Sequence, residues 1–169
     1  DSGVLLALHP DDPPISPLHG WARIMSSEED MDRLMSMFPS VNNGLTFCQA
    51  NIALMDVDIP KTYEQYKDKV HFIHFRNVMG HALDYTEVCH DDPEGRIKMA
   101  EAWMTYQGSG FKGPVRPDHV PRFIGDPDSG MEPAGGYKRG FADGYGLRAR
   151  GQAIGYMKGL REAAALRLG

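Results

Sequence analysis

The sequence predicts an α/β fold of βα units arranged around a parallel sheet, the arrangement that closes into a β/α (TIM) barrel. Three observations carry this expectation. Four short apolar runs alternate with four helix-patterned segments, loops separate them, and a side chain of metal-ligand type stands at or just after the end of each run: His9, Cys48, His74 and Asp118. In a β/α barrel the carboxyl ends of the strands form one mouth, so these four side chains would converge there.

Taken in chain order, VLLAL (Val4 to Leu8) reads as a buried strand that stops at His9, because HPDDPP can continue neither a strand nor a helix. A helix is expected from about Ser27 to Met37, with Ser26 and Glu29 as its capping box and Met31, Leu34, Met35 and Phe38 on one apolar face. GLTF (Gly44 to Phe47) is a second short strand, ending at Cys48. Pro60 suits the first turn of a short helix that carries Tyr63 and Tyr66. VHFIHF (Val70 to Phe75) is a third strand, with Val70, Phe72, His74 and Arg76 on one face. Ile97, Ala100 and Met104 mark a helix that Gly108 can close, and GPV then leads as a fourth strand into Arg116 and Asp118. The last helix is expected from roughly Leu147 to Leu166.

Composition limits the function. With 169 residues, 41% hydrophobic and 24% charged, the chain is long enough to bury a real core. No apolar run approaches the length of a membrane span, and the opening residues DSGVLLALHPDD lack the basic start and cleavage site of a signal peptide, so a cytoplasmic protein without membrane contact is expected. A net charge of -5 with 18 scattered basic residues argues against a nucleic-acid surface and leaves small molecules or proteins as partners. Cys48 and Cys89 have no CxxC spacing and are read as thiols.

Each candidate ligand has a plainer reading. A histidine before proline in an acidic loop is usually solvated, a lone cysteine is usually a small buried hydrophobe, and Asp118 could cap a loop or pair with Arg116. His74 could be a hydrogen-bonded core histidine, although His71, on the other strand face, suits that role better. Their common place at strand ends raises all four. Two imidazoles, a thiolate and a carboxylate form a mixed set suited to Mn²⁺, Fe²⁺, Co²⁺ or Zn²⁺ rather than to Mg²⁺ or Ca²⁺, which prefer oxygen.

The segments LHPDDPP (8 to 14), NGLTFC (43 to 48), HFRN (74 to 77), RPDH (116 to 119) and DGYGLRARGQAIGYMKGL (143 to 160) resemble the carboxyl-terminal half of mannonate dehydratase, in that order and at compatible spacings. The resemblance implies a xylose-isomerase-like (β/α)₈ barrel and a metal-dependent conversion of D-mannonate into 2-keto-3-deoxy-D-gluconate and water, with Mn²⁺, Fe²⁺ or Co²⁺ as the ion. It places the metal ligands on His9, Cys48, His74 and Asp118, and the proton-transfer groups on His119 and on Tyr145 within GYG. Tyr137 in GGYKRG is a rival to Tyr145.

The chemistry accounts for these residue types. Removing the proton beside a carboxylate adds charge next to a group already negative; a divalent ion on the substrate oxygens offsets it, while one side chain takes the C2 proton and another protonates the departing C3 hydroxyl. The residues leave open which of His119 and Tyr145 does which. A sugar isomerase or epimerase on the same barrel, and a non-catalytic half-barrel partner, are the alternatives.

The chain departs from the family pattern at Val120, where glycine is usual, at QAN after Cys48, at HDDPEGRIKM (90 to 99), and in a Gly- and Pro-rich loop at about 126 to 140 that reads as an insertion. These changes touch substrate contacts more than ligands. Four βα units are half of a barrel that needs about 250 residues. Residues 1–169 are therefore expected to supply the carboxyl-terminal half of one barrel domain, in a homo-oligomer, with an amino-terminal half as partner. With strands near Val4 and Val115 as open edges, the chain alone is expected to aggregate, dimerise or stay partly molten.

Overall fold

The computed structural model describes residues 2–126 and 144–168. Four strands, β1 (Leu6–Leu8), β2 (Asn43–Cys48), β3 (Val70–His74) and β6 (Val115–Arg116), form one sheet in the order β1-β2-β3-β6, every pair parallel. Parallel neighbours require crossovers, and helices supply them. They are α1 (Glu28–Met37), α2 (Gln49–Leu54), α3 (Ile59–Tyr66) and α4 (Met99–Gly108), with α5 (Leu147–Leu168) after the last strand. The alternation of βα units is as expected, and β1 and β6 lie at opposite edges. A two-stranded antiparallel hairpin, β4 (Val78–His81) and β5 (Asp84–Glu87), was not foreseen.

Register brings the strand ends level. Leu8 lies opposite Leu45, Cys48 opposite His74, and His74 opposite Arg116. Side chains alternate across the sheet. Leu45, Phe47, Ile73 and Phe75 go to the helical face and are buried, while Cys48 and His74 point to the other. On the helical face Phe47, Tyr63 and Tyr106 meet with ring centroids 4.6–5.9 Å apart, and Phe75 stands edge-on to Trp103 at 5.1 Å. Gly44 is required where β2 meets the start of β3, because a Cβ there would come within 2.2 Å of the Lys69 carbonyl oxygen.

Some local expectations need correction. Ser27, not Ser26, caps α1: its hydroxyl accepts the Asp30 N–H at 3.2 Å, and Asp30, not Glu29, reaches back to the Ser26 N–H at 2.9 Å. The signal is shifted by one residue because SSEED offers two overlapping capping registers. Phe38 of the expected apolar face is exposed, and only Met31 of α1 is fully buried. VLLAL contributes only Leu6–Leu8 to the sheet and is not buried, with Leu6 63% exposed, since β1 is an edge strand that no described element covers. In α4 the buried residues are Met99, Ala102, Trp103 and Tyr106, while Ala100 faces solvent, because the aromatic pair rather than the Ile97–Ala100–Met104 series seats the helix. His71 is not the bonded core histidine, since its buried Nε2 meets no partner; His90 is, with Nε2 2.6 Å from the Phe75 carbonyl oxygen. Among the described residues no helix is long and apolar enough to cross a membrane.

Gln49 is fully buried and joins three elements at the carboxyl end of the sheet. Its amide donates to the Arg76 carbonyl oxygen at 2.8 Å, and its oxygen accepts from Tyr106 at 2.7 Å. Tyr106→Phe is expected to cost about 1–3 kcal/mol, because it strands that oxygen without a donor. A urea midpoint lowered at constant slope would show this; an unchanged midpoint would count against the link.

Candidate metal centre

His9 directly follows β1, Cys48 ends β2, His74 ends β3, and Asp118 lies two residues beyond β6. Level register and parallel strands make these ends neighbours. One donor atom from each of the four lies within 4.8 Å of the others. Neighbouring donors round an ion with bonds of about 2.0–2.3 Å sit roughly 2.8–3.8 Å apart, according to geometry, and opposed ones roughly 4–4.6 Å, so the cluster is close to the size of one coordination shell.

The individual contacts match donor chemistry. His9 Nδ1 donates to the Pro10 carbonyl oxygen at 2.6 Å, which leaves Nε2 as the bare nitrogen, and that atom faces His74 Nδ1 at 3.1 Å. His74 Nδ1 is 3.3 Å from Asp118 Oδ2, while Phe72 packs edge-on against the His74 ring at 4.9 Å. Asp118 sits at φ 56°, a left-handed conformation that costs energy and recurs at functional sites. Its Oδ1 is held by Arg116 Nη2 at 3.0 Å, the pairing the sequence left open. Burial alone would push the Asp118 carboxyl up; the hydrogen bond from His74 and the charges of His74, His119 and Arg76 hold it well below the ordinary range. For His74, burial works against the cation, and the contacts with Asp118 and Cys48 outweigh it to raise the pKa.

Behind these donors lies a network that sequence reasoning missed. Arg76, only 1% exposed, donates from Nη1 to Asp12 Oδ2 at 2.8 Å, to Asn51 Oδ1 at 2.9 Å and toward Cys48 Sγ at 3.6 Å, and from Nη2 to Glu87 of β5. Burial opposes its charge, but Cys48, Glu87 and Asp12 more than compensate and raise its pKa. Tyr85 donates to Asp12 Oδ1 at 2.7 Å, and its own pKa is pushed up to about 12 by burial and by that carboxylate. The available signal was Arg76 itself, a cation placed on the same face as His74 next to a buried strand.

Asp12 yields a prediction with a sign. Burial raises its pKa, yet Arg76 and the bonds from Tyr85 and Arg76 lower it on balance. A carboxylate depressed in the folded state contributes stability that is complete above the unfolded value and is lost as pH falls through the folded one. Asp12→Asn is therefore expected to cost about 1.5–3 kcal/mol at neutral pH, with the gap to wild type narrowing by about pH 3. Denaturant titrations at both pH values check it; a gap that widens in acid would refute the pairing.

The two expected proton-transfer residues flank the cluster. Tyr145 Oη lies 3.4 Å from Asp118 Oδ1, and its ring stands edge-on to His119 at 5.1 Å. His119 Nδ1 is 4.0 Å from Asp118 Oδ2. Val120, at the position of an expected family glycine, is buried against Ala149 and Ala153 of α5. Its N–H donates to the Gly144 carbonyl oxygen at 3.0 Å, so this departure serves packing. Asp126 accepts the Arg148 N–H at 3.0 Å and ties the loop after β6 to the start of α5. Tyr137 and nearly all of the loop expected at 126 to 140 lie outside the described residues.

Comparison with known proteins identifies the family. A family model described as D-mannonate dehydratase (UxuA) matches residues 1–167. Mannonate dehydratase of Shouchella clausii is 33% identical over 98% of this chain, and mannonate dehydratase 1 of Bacillus licheniformis is 34% identical over 94%. These matches cover 43% and 40% of the two relatives, so the chain spans less than half their length. The crystal structure of mannonate dehydratase from Streptococcus suis serotype 2 superimposes with a TM-score of 0.83 at 31% identity, covering 99% of this chain and 45% of that one. With strand ends, donor cluster and flanking residues in one place and the family model matched over almost the whole sequence, the chain belongs to the D-mannonate dehydratase family.

Proposed function

We propose that this chain supplies the metal centre and proton-transfer groups of a hydro-lyase that converts D-mannonate into 2-keto-3-deoxy-D-gluconate and water. The observation that carries the proposal is the convergence of His9, Cys48, His74 and Asp118 beside His119 and Tyr145. The mixed nitrogen, sulfur and oxygen donor set suits Mn²⁺, Fe²⁺ or Co²⁺. Such an ion, when bound, offsets the negative charge that builds on the substrate oxygens. His119 and Tyr145 between them take the C2 proton and deliver a proton to the departing C3 hydroxyl, which leaves as water; the enol that remains becomes the 2-keto acid. Arg76 keeps Cys48 and Asp12 in place from beneath the site.

On this proposal residues 1–169 form about the last four βα units of a (β/α)₈ barrel, with an inserted loop at about 126 to 140. The exposed side chains of Leu6 and Leu8 on the edge strand, and of Val4 and Leu5 just before it, support it, because a complementary amino-terminal half would cover them. The deciding experiment incubates the intact assembly with Mn²⁺ and a panel of aldonates and assays 2-keto-3-deoxy acid. Product from D-mannonate is expected, whereas ketose or epimer without loss of water would replace the proposal by an isomerase or epimerase.

A further inference from the structure

The hairpin β4–β5 stands outside the parallel sheet, yet it delivers one carboxylate to the site. Glu87, the last residue of β5, pairs with Val78, two residues beyond Arg76. Its Oε1 accepts from Arg76 Nη2 and also faces His119 Nδ1 at 3.7 Å, and its side chain is only 18% exposed. A carboxylate anchored by a buried guanidinium has little freedom to turn away. Asp118 Oδ2 is farther from the same His119 nitrogen, at 4.0 Å, and is already engaged with His74. The ring is confined on two more sides: Tyr145 stands edge-on to it, and Gly144, at φ +84°, packs so closely that a Cβ there would lie 3.2 Å from His119 Cβ and Cδ2.

We propose that Glu87 is a positioning residue that holds the proton of His119 on Nδ1, so that Nε2 is the nitrogen left for proton transfer. At 3.7 Å the contact is an ion-pair distance rather than a hydrogen bond, and the fixed negative charge beside Nδ1 favours the tautomer that carries its proton on that nitrogen. Arg76 fixes the carboxylate, Glu87 fixes the ring, and the ring acts. The catalytic consequence rests on the function proposed above; the tautomer does not.

Long-range ¹H–¹⁵N spectra of the histidine-labelled intact assembly, free of paramagnetic metal, test it, recorded at mildly alkaline pH with His119 assigned by its loss in His119→Asn. The wild-type ring is expected as the Nδ1–H tautomer, and Glu87→Ala is expected to move it to Nε2–H or a mixture. In steady-state kinetics on the intact assembly, Glu87→Ala is expected to lower kcat about ten- to a hundredfold with KM and metal content unchanged, and Glu87→Gln, which keeps an acceptor for both partners, to recover most of it. An Nε2–H ring in the wild type overturns the proposal, even where Glu87→Ala fails to fold. A ring unchanged in Glu87→Ala overturns it equally. The expected tautomers in an assembly without dehydratase activity would uphold the positioning role and remove the proposed reaction instead.

Discussion

Asp118→Asn is expected to lose divalent-metal binding almost completely, and Cys48→Ser to weaken it by more than about a hundredfold. Groups that merely orient ligands cost about ten- to a hundredfold when removed, so a ligand itself should cost more. Asp118 is the only carboxylate of the four-donor cluster, and His9 and His74 bring no negative charge of their own. An asparagine keeps the size and the bond from Arg116 but offers a neutral oxygen and a donating amide in place of the atom facing His74. In Cys48→Ser a hydroxyl replaces the sulfur, harder and far less acidic, at a fully buried position to which solvent cannot bring a substitute ligand. Elemental analysis after equilibration with Mn²⁺ reads occupancy directly. Thermal melting gives a second reading, since an ion at a hundred times its dissociation constant stabilises wild type by about 2.7 kcal/mol and should leave Asp118→Asn unmoved. Full occupancy in both variants would show that the cluster is not the metal site.

The parts legible in the sequence were those governed by local pattern and by chain reversal. His9, Cys48 and His74 could be placed because apolar runs stop abruptly at or beside them, and parallel topology makes all strand carboxyl ends neighbours. Asp118 followed from the same logic with a two-residue strand before it. Less legible was whatever depends on partners remote in sequence. Arg76 reaches Asp12 and Glu87 across separations of 64 and 11 residues, and no periodicity announces such a meeting. The hairpin was missed because Val78–His81 and Asp84–Glu87 are only four residues each and neither is a sustained apolar run, and their pairing is decided by the turn between them. Burial of VLLAL was overestimated for a related reason: apolar composition gives strand propensity, but only a neighbour can cover an edge strand.

His119→Asn and Tyr145→Phe are each expected to keep metal and fold while losing at least about a hundredfold in turnover, close to 2.7 kcal/mol of transition-state stabilisation. Neither side chain belongs to the four-donor cluster, and neither is part of the main core, so their removal leaves the packing of β2, β3 and α4 intact. Asparagine at 119 can still hydrogen-bond toward Glu87 but cannot relay a proton at neutral pH. Phenylalanine at 145 keeps the edge-on packing against the His119 ring and removes only the hydroxyl that lies 3.4 Å from Asp118 and 3.5 Å from Arg116. That hydroxyl donates toward the Asp118 carboxylate and accepts from the Arg116 guanidinium, and these two contacts fix its direction in the site. Because the two groups serve opposite ends of one elimination, removing both should cost little more than removing the worse one. Turnover of the single and double variants, with metal content and melting temperature measured alongside, separates chemistry from collapse. A Tyr145→Phe protein with full activity beside an inactive Tyr137→Phe would move the tyrosine's role to residue 137, and a His119→Asn protein with full activity would remove the imidazole from the reaction altogether.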